Sequence, residues 1–572
     1  MSEINEKTEQ KSDKLQWMKE ARFAMFIHWG AYALPAGEWE GKYVESSGEW
    51  IMYGAKIPVK DYEKMTRQFN PVKFNADEWA RLARDAGMKY MVITAKHCDG
   101  FAMYHSKASS YNIYDMTPFK RDPLKELEEA CDKYGIKLGF YYSHNWDWHE
   151  PDALGQDNNW DFPDRSRKNI EKYLEEKSLP QVKELVTQYH PHIIWFDTGD
   201  DSISQEYCQR FMDIIRGNLP DCIVNDRLGN GQGDYSTPEE YIPQTTDNTF
   251  FEVCMTLNVS WGYSKFFKYW KSAPTCIRNL ADIASKGGNL LLNVGPDAEG
   301  LIPEIDARIL QEIGKWLKKY GESIYNTEAS PLGILPYGYC TAGSGKLYIH
   351  LFDWPESGTF IIPGIRNRIK KIYLLADREK ENLEFEQTGN MDISVNIRAT
   401  CLSPDLLDSV DTVIVMEYEG RLDTDKKQAL VNKDFKTVFN AANARIQGTA
   451  IKMRIDCNEA YGKYGYVTEN WNNTDDIMSW DFRIIEDGDF EIEVNYSATE
   501  ECKGNVFKVS IADKEIMAEV NETGGLFNFN TFNLGRIHFS SAEKITMLIK
   551  GEKIIGSSLM NLKDIVFKPV NF

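Results

Sequence analysis

Ile193-Ile-Trp-Phe-Asp197 is a short apolar, β-forming run that ends on a carboxylate. Runs of the same kind recur on either side of it. They are Phe23-Ala-Met-Phe-Ile-His28, Tyr90-Met-Val-Ile-Thr94, Lys137-Leu-Gly-Phe-Tyr-Tyr142, Ile223-Val-Asn-Asp-Arg227, Phe250-Phe-Glu-Val-Cys-Met255 and Asn289-Leu-Leu-Leu-Asn293. Amphipathic stretches lie between many of them, among them Ala76–Asp85, Leu124–Cys131 and Ile305–Trp316. Apolar runs alternating with helical periodicity predict parallel βα units. Seven such runs over the first 330 residues fit a (β/α)8, TIM-like barrel better than a small open sheet. The later repeats are irregular, so one or two helices are expected to be missing.

The pattern changes near residue 330. Short runs such as Lys346-Leu-Tyr-Ile-His-Leu351 and Thr412-Val-Ile-Val-Met416 predict a small antiparallel β domain. Beyond it, Phe490–Asn495, Val506–Ile511 and Ile545–Ile549 alternate with a period near two and are parted by Gly, Asn and Asp turns, as in a β-sandwich. The expected organisation is therefore a polar lead over 1–15, an α/β barrel over 16–330, the small β domain over 331–420, a linker over 421–435 and a C-terminal sandwich over 436–572.

With a net charge of −21, the chain is a poor partner for nucleic acid or anionic membrane, and no run of 18 apolar residues suggests a membrane span. The ten cysteines are scattered without CxxC or zinc spacing, which predicts free buried thiols suited to a reducing compartment. The polar start Met1-Ser-Glu-Ile-Asn-Glu-Lys7 has no apolar core, so a cytoplasmic location without a signal peptide is expected. Signatures of P-loops, G-x-S-x-G elbows and H-E-x-x-H zinc helices are missing. His144 and His149 could pass for a metal pair, but Trp146-Asp-Trp148 between them suits a sugar-binding loop better.

The chemistry is signalled by position. The polar residue within or just past each run is His28, His97, Tyr142, Asp197, Arg227, Glu252 or Asn293. In a parallel barrel the C-terminal strand ends converge on one face, where active sites are built. Asp197 stands out, because a carboxylate near the barrel axis can attack an anomeric carbon and stabilise an oxocarbenium-like transition state. It could instead cap a helix from Asp197-Thr-Gly-Asp-Asp201, a role that Asp200 or Asp201 could also fill. A retaining glycosidase needs a second carboxyl. Glu239, in what reads as a loop leaving the fifth strand, and Glu252, on a strand, are both candidates, and spacing does not decide between them. His28, His97 and Arg227 could bond sugar hydroxyls, while Trp29, Trp50 and Trp195 could offer apolar faces.

These residues resemble glycoside hydrolase family 29, the α-L-fucosidases. The resemblance rests on Met25-Phe-Ile-His-Trp-Gly30, Gly48-Glu-Trp50, Lys96-His-Cys-Asp-Gly-Phe101, Phe119-Lys-Arg-Asp122, Tyr141-Tyr-Ser143 with Asp147-Trp148, Trp195-Phe-Asp197, Asn225-Asp-Arg227, Trp261-Gly-Tyr263, Gly287-Gly-Asn289 and Asn293-Val-Gly-Pro296. It implies retaining hydrolysis of terminal α-L-fucose on an oligosaccharide or glycoconjugate, without metal or organic cofactor. The family's nucleophile falls on Asp197 and its fucose-binding residues on His28, Glu49, Trp50, His97, Tyr142, Trp195 and Arg227. The acid/base position differs within the family: Glu239 is the first choice and Glu252 the second. Cys98 stands where the family often has a second histidine, and Phe251 where it often has tryptophan. A hydrolase of a related L-sugar, such as an α-L-galactoside, or a non-catalytic carbohydrate-binding protein is the alternative.

Overall fold

The structure, a computed structural model, describes residues 14–155, 160–198, 202–243, 250–388, 392–397, 406–424, 429–458 and 463–570. The chain divides into two compact units. One comprises Met1–Glu240, Asn248–Ile283 and Gly287–Gly321; the other comprises Tyr241–Asp247, Ala284–Lys286 and Glu322–Phe572.

The first unit is built on parallel strands β1 (Phe23–Ile27), β2 (Tyr90–Lys96), β3 (Lys137–Ser143), β4 (Ile193–Asp197), β5 (Ile223–Val224), β6 (Glu252–Thr256) and β7 (Asn289–Val294), in the order β5-β4-β3-β2-β1-β7-β6. They are buried on both faces, which explains their near-continuous apolar sequence. Phe26, Val92, Tyr141, Trp195, Cys254 and Leu291 fill the interior, and Leu15 and Met18 of a helix over 14–21 plug the N-terminal end.

The gap between β5 and β6 is closed by an irregular run. Tyr235 bridges Asn225, Ser236 bridges Phe251 and Glu239 bridges Cys254, each in parallel sense. The amides of Glu252 and Cys254 donate to the carbonyls of Ser236 and Pro238 at 2.9 and 3.0 Å. The run therefore serves as an eighth wall, and Glu239 sits on that wall rather than in the free loop that the sequence suggests. Among the described residues no α-helix lies between β5 and β6, only a 3-10 turn over Asp226–Leu228, in line with the expected irregularity of the later repeats.

The outer layer contains α1 (Ala76–Asp85), α2 (Pro123–Tyr134), α3 (Leu179–Gln188), α4 (Gln205–Asn218), α5 (Ala273–Ser285) and α6 (Glu304–Tyr320). Their ends follow capping chemistry. The Asn75 and Asp122 side chains accept from the amides of Glu78 and Lys125, and α2 stops at Gly135, where φ is +68°. The cap of α4 is Ser204, which accepts from the Tyr207 amide at 3.4 Å. Asp197 therefore caps nothing there, while Asp200 and Asp201 lie outside the described residues.

The second unit contains a four-stranded antiparallel sheet (Gly338–Gly343, Lys346–Leu351, Thr412–Tyr418, Ile369–Leu374) and a three-stranded one (Thr359–Ile362, Ile393–Asn396, Phe385–Gln387). After these come a six-stranded and a four-stranded sheet, whose buried faces share one core including Trp480, Phe482, Phe490, Val509 and Phe567. The stretch that reads as a linker is in part structural: Ala429–Val431 pairs in parallel with Ile477–Ile484 and is buried. Arg483 holds Asp392 with both terminal guanidinium nitrogens, and Asp392 also accepts from the Gly364 amide, which ties the smaller sheets to the sandwich. The eight described cysteine side chains are free and buried. No helix among the described residues is long and apolar enough to cross a membrane.

Candidate active site

Asp197 is the last residue of β4, in register with Ser143, so its carboxyl enters the cup at the C-terminal end of the barrel. Its Oδ2 accepts from the Tyr141 hydroxyl at 2.6 Å and its Oδ1 from Arg227 Nη1 at 3.0 Å. Burial pushes this carboxyl up, but Arg227, the Tyr141 hydroxyl and His97 outweigh burial and hold it at about 2. Asp197 is therefore an anion at neutral pH. The next residue, Thr198, adopts φ +69°, a costly conformation for a β-branched side chain, and its hydroxyl bonds Asn145.

Arg227 is placed by a continuation of the sheet. Asn225 uses its side-chain amide to accept from Phe196 N at 2.7 Å and donate to Phe196 O at 2.8 Å, extending the β4–β5 ladder. Arg227 then lies with its guanidinium 4.6 Å above the Trp195 ring. Nε donates to Thr237 Oγ1 and Nη2 to Thr237 O, both at 3.0 Å. Nη1 reaches Glu239 Oε2 at 2.8 Å as well as Asp197. One guanidinium nitrogen thus joins two of the three carboxylates that the sequence singles out, Asp197 and Glu239.

The imidazoles are neutral polar contacts. Burial, with His97 adding to it, pushes His28 down to about 3, and burial pushes His97 to about 4. Asn293 donates its side-chain amide to Trp261 O at 2.7 Å, so its Oδ1 accepts from His28 Nδ1–H at 2.7 Å. That leaves His28 Nε2 as an acceptor. His97 stacks on Tyr141 at 5.2 Å, and Trp261 lies 5.0 Å from the His28 ring. Glu49 is buried, with Oε2 accepting from Ser47 Oγ and Gly262 N, each at 2.7 Å. Burial, with the neighbouring Glu239 adding to it, raises Glu49 to about 7 against those two bonds. Among the described residues His97 Nδ1 and Glu49 Oε1 are buried without a hydrogen-bond partner, which suits polar atoms that meet a ligand. Trp50 is half-buried and meets Trp146 and Trp148 edge to face at 6.0 and 5.3 Å.

Three expectations need correction. Tyr142 faces away from the cup and donates its hydroxyl to Gln181 Oε1 on α3 at 2.8 Å. The tyrosine that meets Asp197 is Tyr141, one residue earlier, which pairs with Trp195 and lies two residues before Ser143, the register partner of Asp197, and so on the same face of the sheet. Glu252 begins β6 and is sealed at the opposite end of the barrel. It accepts from Trp195 Nε1 at 3.0 Å, from Tyr235 OH at 3.2 Å and from Tyr90 OH, which leaves no route to a sugar. Trp29 is buried among Phe69, Phe74 and Trp79 and offers no face. Trp195 itself is 1% exposed and forms a floor, stacked on Tyr141 at 5.7 Å.

His144 packs on Phe196 and Phe211, whereas His149 stacks on Tyr111 and bonds Glu63. Among the described residues no group of His, Cys, Asp and Glu is arranged to hold a metal ion. Trp261 and Asn293 are further cup residues. The sequence marks Asn293 by its strand-end position, whereas Trp261 lies on no apolar run and is marked only through the Trp261-Gly-Tyr263 motif of the family resemblance.

A family model described as Alpha-L-fucosidase matches residues 2–322. Plasma alpha-L-fucosidase of Homo sapiens is 32% identical over 412 residues, covering 66% of this chain and 84% of that protein. That of Rattus norvegicus is 33% identical over 372 residues, covering 60% and 79%. The crystal structure of alpha-L-fucosidase from Vibrio sp. strain EJY3 superposes with a TM-score of 0.80 at 31% identity, covering 97% of this chain and 98% of that one. A GH29 alpha-L-fucosidase from Bacteroides thetaiotaomicron, trapped as a covalent intermediate with 2-fluoro-fucosyl fluoride, superposes with a TM-score of 0.64 at 29% identity, covering 71% and 96%.

Proposed function

The chain belongs to the α-L-fucosidase family of glycoside hydrolases, and from that premise we propose that it releases terminal α-L-fucose from glycans by double displacement with retention. Asp197 attacks C1 and forms a glycosyl ester while Glu239 protonates the departing oxygen. Glu239 then takes a proton from the water that opens the ester, and fucose leaves with its starting configuration.

The observation that carries this reading is the shared contact on Arg227 Nη1, with Asp197 Oδ1 at 3.0 Å and Glu239 Oε2 at 2.8 Å. Two oxygens bound to one nitrogen at those distances can be no more than about 6 Å apart, close to the ~5 Å of retaining pairs and short of most inverting ones. The low-lying Asp197 carboxyl suits a nucleophile that must be ionised. Neutral His28 and His97, with buried Glu49, suit recognition of hydroxyls, and the rings of Trp50 and Trp261 suit the apolar face and C5 methyl of fucose.

The test is hydrolysis of 4-nitrophenyl α-L-fucoside followed by proton NMR of the first sugar formed. α-L-Fucose is expected first, and Asp197→Ala should be inactive until azide is added, when β-L-fucosyl azide accumulates. β-L-Fucose as the first product, or an active Asp197→Ala protein without azide, would overturn the proposal.

A further inference from the structure

Glu239 is followed by a residue in an unfavourable conformation. Glu240 has φ +59°, in the left-handed region that a side chain with a Cβ rarely enters. Such a turn persists only when its surroundings impose it. The surroundings here are specific. The Glu240 amide donates to Cys254 O at 2.9 Å, and its side chain turns away from the cup and is buried. Oε1 accepts from both the amide and the hydroxyl of Thr256, at 2.5 and 2.7 Å, and Oε2 accepts from Lys271 Nζ at 3.0 Å. Lys271 also donates to Thr256 O at 2.7 Å, closing the set.

We infer that Glu240 is a positioning residue: its buried carboxylate, tied to Thr256 and Lys271, imposes the left-handed turn that aims the Glu239 side chain at the leaving oxygen. Most of the other catalytic groups stand at the ends of hydrogen-bonded strands. Glu239 stands on an irregular wall with no following helix among the described residues, so its direction depends on this clamp. Glu239 turns inward to Arg227 and Glu240 outward to Lys271, so a rotation of the main chain between them would break both ion pairs. Buried charge is costly to maintain for stability alone, and a specifying role is the better-attested use of such a pair.

The inference rests on Glu239 being the acid/base. A displaced general acid harms substrates that need protonation and spares those that do not. The experiment measures kcat/KM, which reports the first displacement, for methyl α-L-fucoside and 4-nitrophenyl α-L-fucoside with wild type, Glu240→Gln, Lys271→Met, Lys271→Arg and Glu239→Ala. Glu240→Gln and Lys271→Met are expected to lose about 10- to 100-fold on the methyl glycoside and less than about 3-fold on the nitrophenyl one. Lys271→Arg is expected to recover most of the loss. If Glu240→Gln fails to fold, Lys271→Met reads the same contact. Equal losses on both substrates mean general damage and overturn the inference, as does no loss on either. If Glu239→Ala shows the leaving-group dependence and the clamp variants do not, only the inference falls. If Glu239→Ala shows none, the acid/base assignment falls first and the positioning role with it.

Discussion

Tyr141 and Tyr142 are neighbours in the chain and stand on opposite sides of β3: one gives its hydroxyl to Asp197 at 2.6 Å, the other to Gln181 at 2.8 Å. Removing one oxygen atom at each position should therefore give opposite phenotypes. Tyr141→Phe is expected to lower kcat/KM on 4-nitrophenyl α-L-fucoside by about 10- to 100-fold, as a bond to a charged group is lost. Tyr142→Phe should leave kcat/KM within about 3-fold and cost about 1 kcal/mol of stability by denaturant titration. Equal activity of the two variants would contradict the assignment of faces.

Arg227 is the main opponent of burial at Asp197. In Arg227→Lys a single ammonium cannot hold Asp197, Glu239 and Thr237 together. The Asp197 carboxyl, held at about 2, should rise toward its ordinary range. Attack requires the anion, so activity is lost as pH falls through that value. The acidic limb of kcat/KM should then move to higher pH, by about one unit, with about a 100-fold lower plateau. A limb that stays in place would show that Arg227 does not set the charge of Asp197.

Glu252 makes a prediction about stability rather than turnover. Burial raises it from 4.5 to about 7. A carboxyl raised on folding gives its full stabilisation below its unfolded value and loses it as pH climbs through the folded one. For this fully buried group the loss between pH 4.5 and about 7 amounts to about 3 kcal/mol. Glu252→Gln has no such dependence, so its stability relative to wild type should improve by a comparable amount from pH 5 to pH 8. Parallel stability curves for the two proteins across that range would show that folding does not raise the Glu252 carboxyl above its ordinary range.

The Arg483–Asp392 pair in the second unit is buried, with side chains 10% and 6% exposed. Arg483→Met would strand the carboxylate, and thermal or urea unfolding is expected to show a loss of about 3 kcal/mol. The activity of the folded fraction on 4-nitrophenyl α-L-fucoside should not change. A drop in kcat for fully folded Arg483→Met would show that this pair also serves the catalytic cup.

Much of the molecule is legible in the sequence, and the failures are local. Apolar runs locate every strand of the barrel ladder, because strands buried on both faces have no polar alternation to blur them. That same uniformity hides which face each residue takes, so the sequence favours Tyr142 over Tyr141. Glu252 misleads for a related reason: a polar residue on a strand marks the site only at the C-terminal end, and it sits at the start of β6. The wall over 235–240 reads as loop because its Thr-Pro-Glu-Glu sequence lacks apolar residues and its pairing is a chain of single bridges. Ala429–Val431 is lost in a polar surrounding, since three residues are too few to show a period.

The uneven construction of the barrel separates the fates of its two carboxylates. Asp197 is locked by a five-residue register with β3, so an insertion nearby would unseat the whole strand. Glu239 hangs on a seam of isolated bridges and is aimed by a few side-chain contacts of Glu240, so changes outside that clamp can alter its presentation without unseating a strand. On the roles proposed for these two residues, evolution can retune how the departing group is received while the attacking oxygen keeps its address, and engineers seeking new acceptors or leaving groups have the same latitude at that seam.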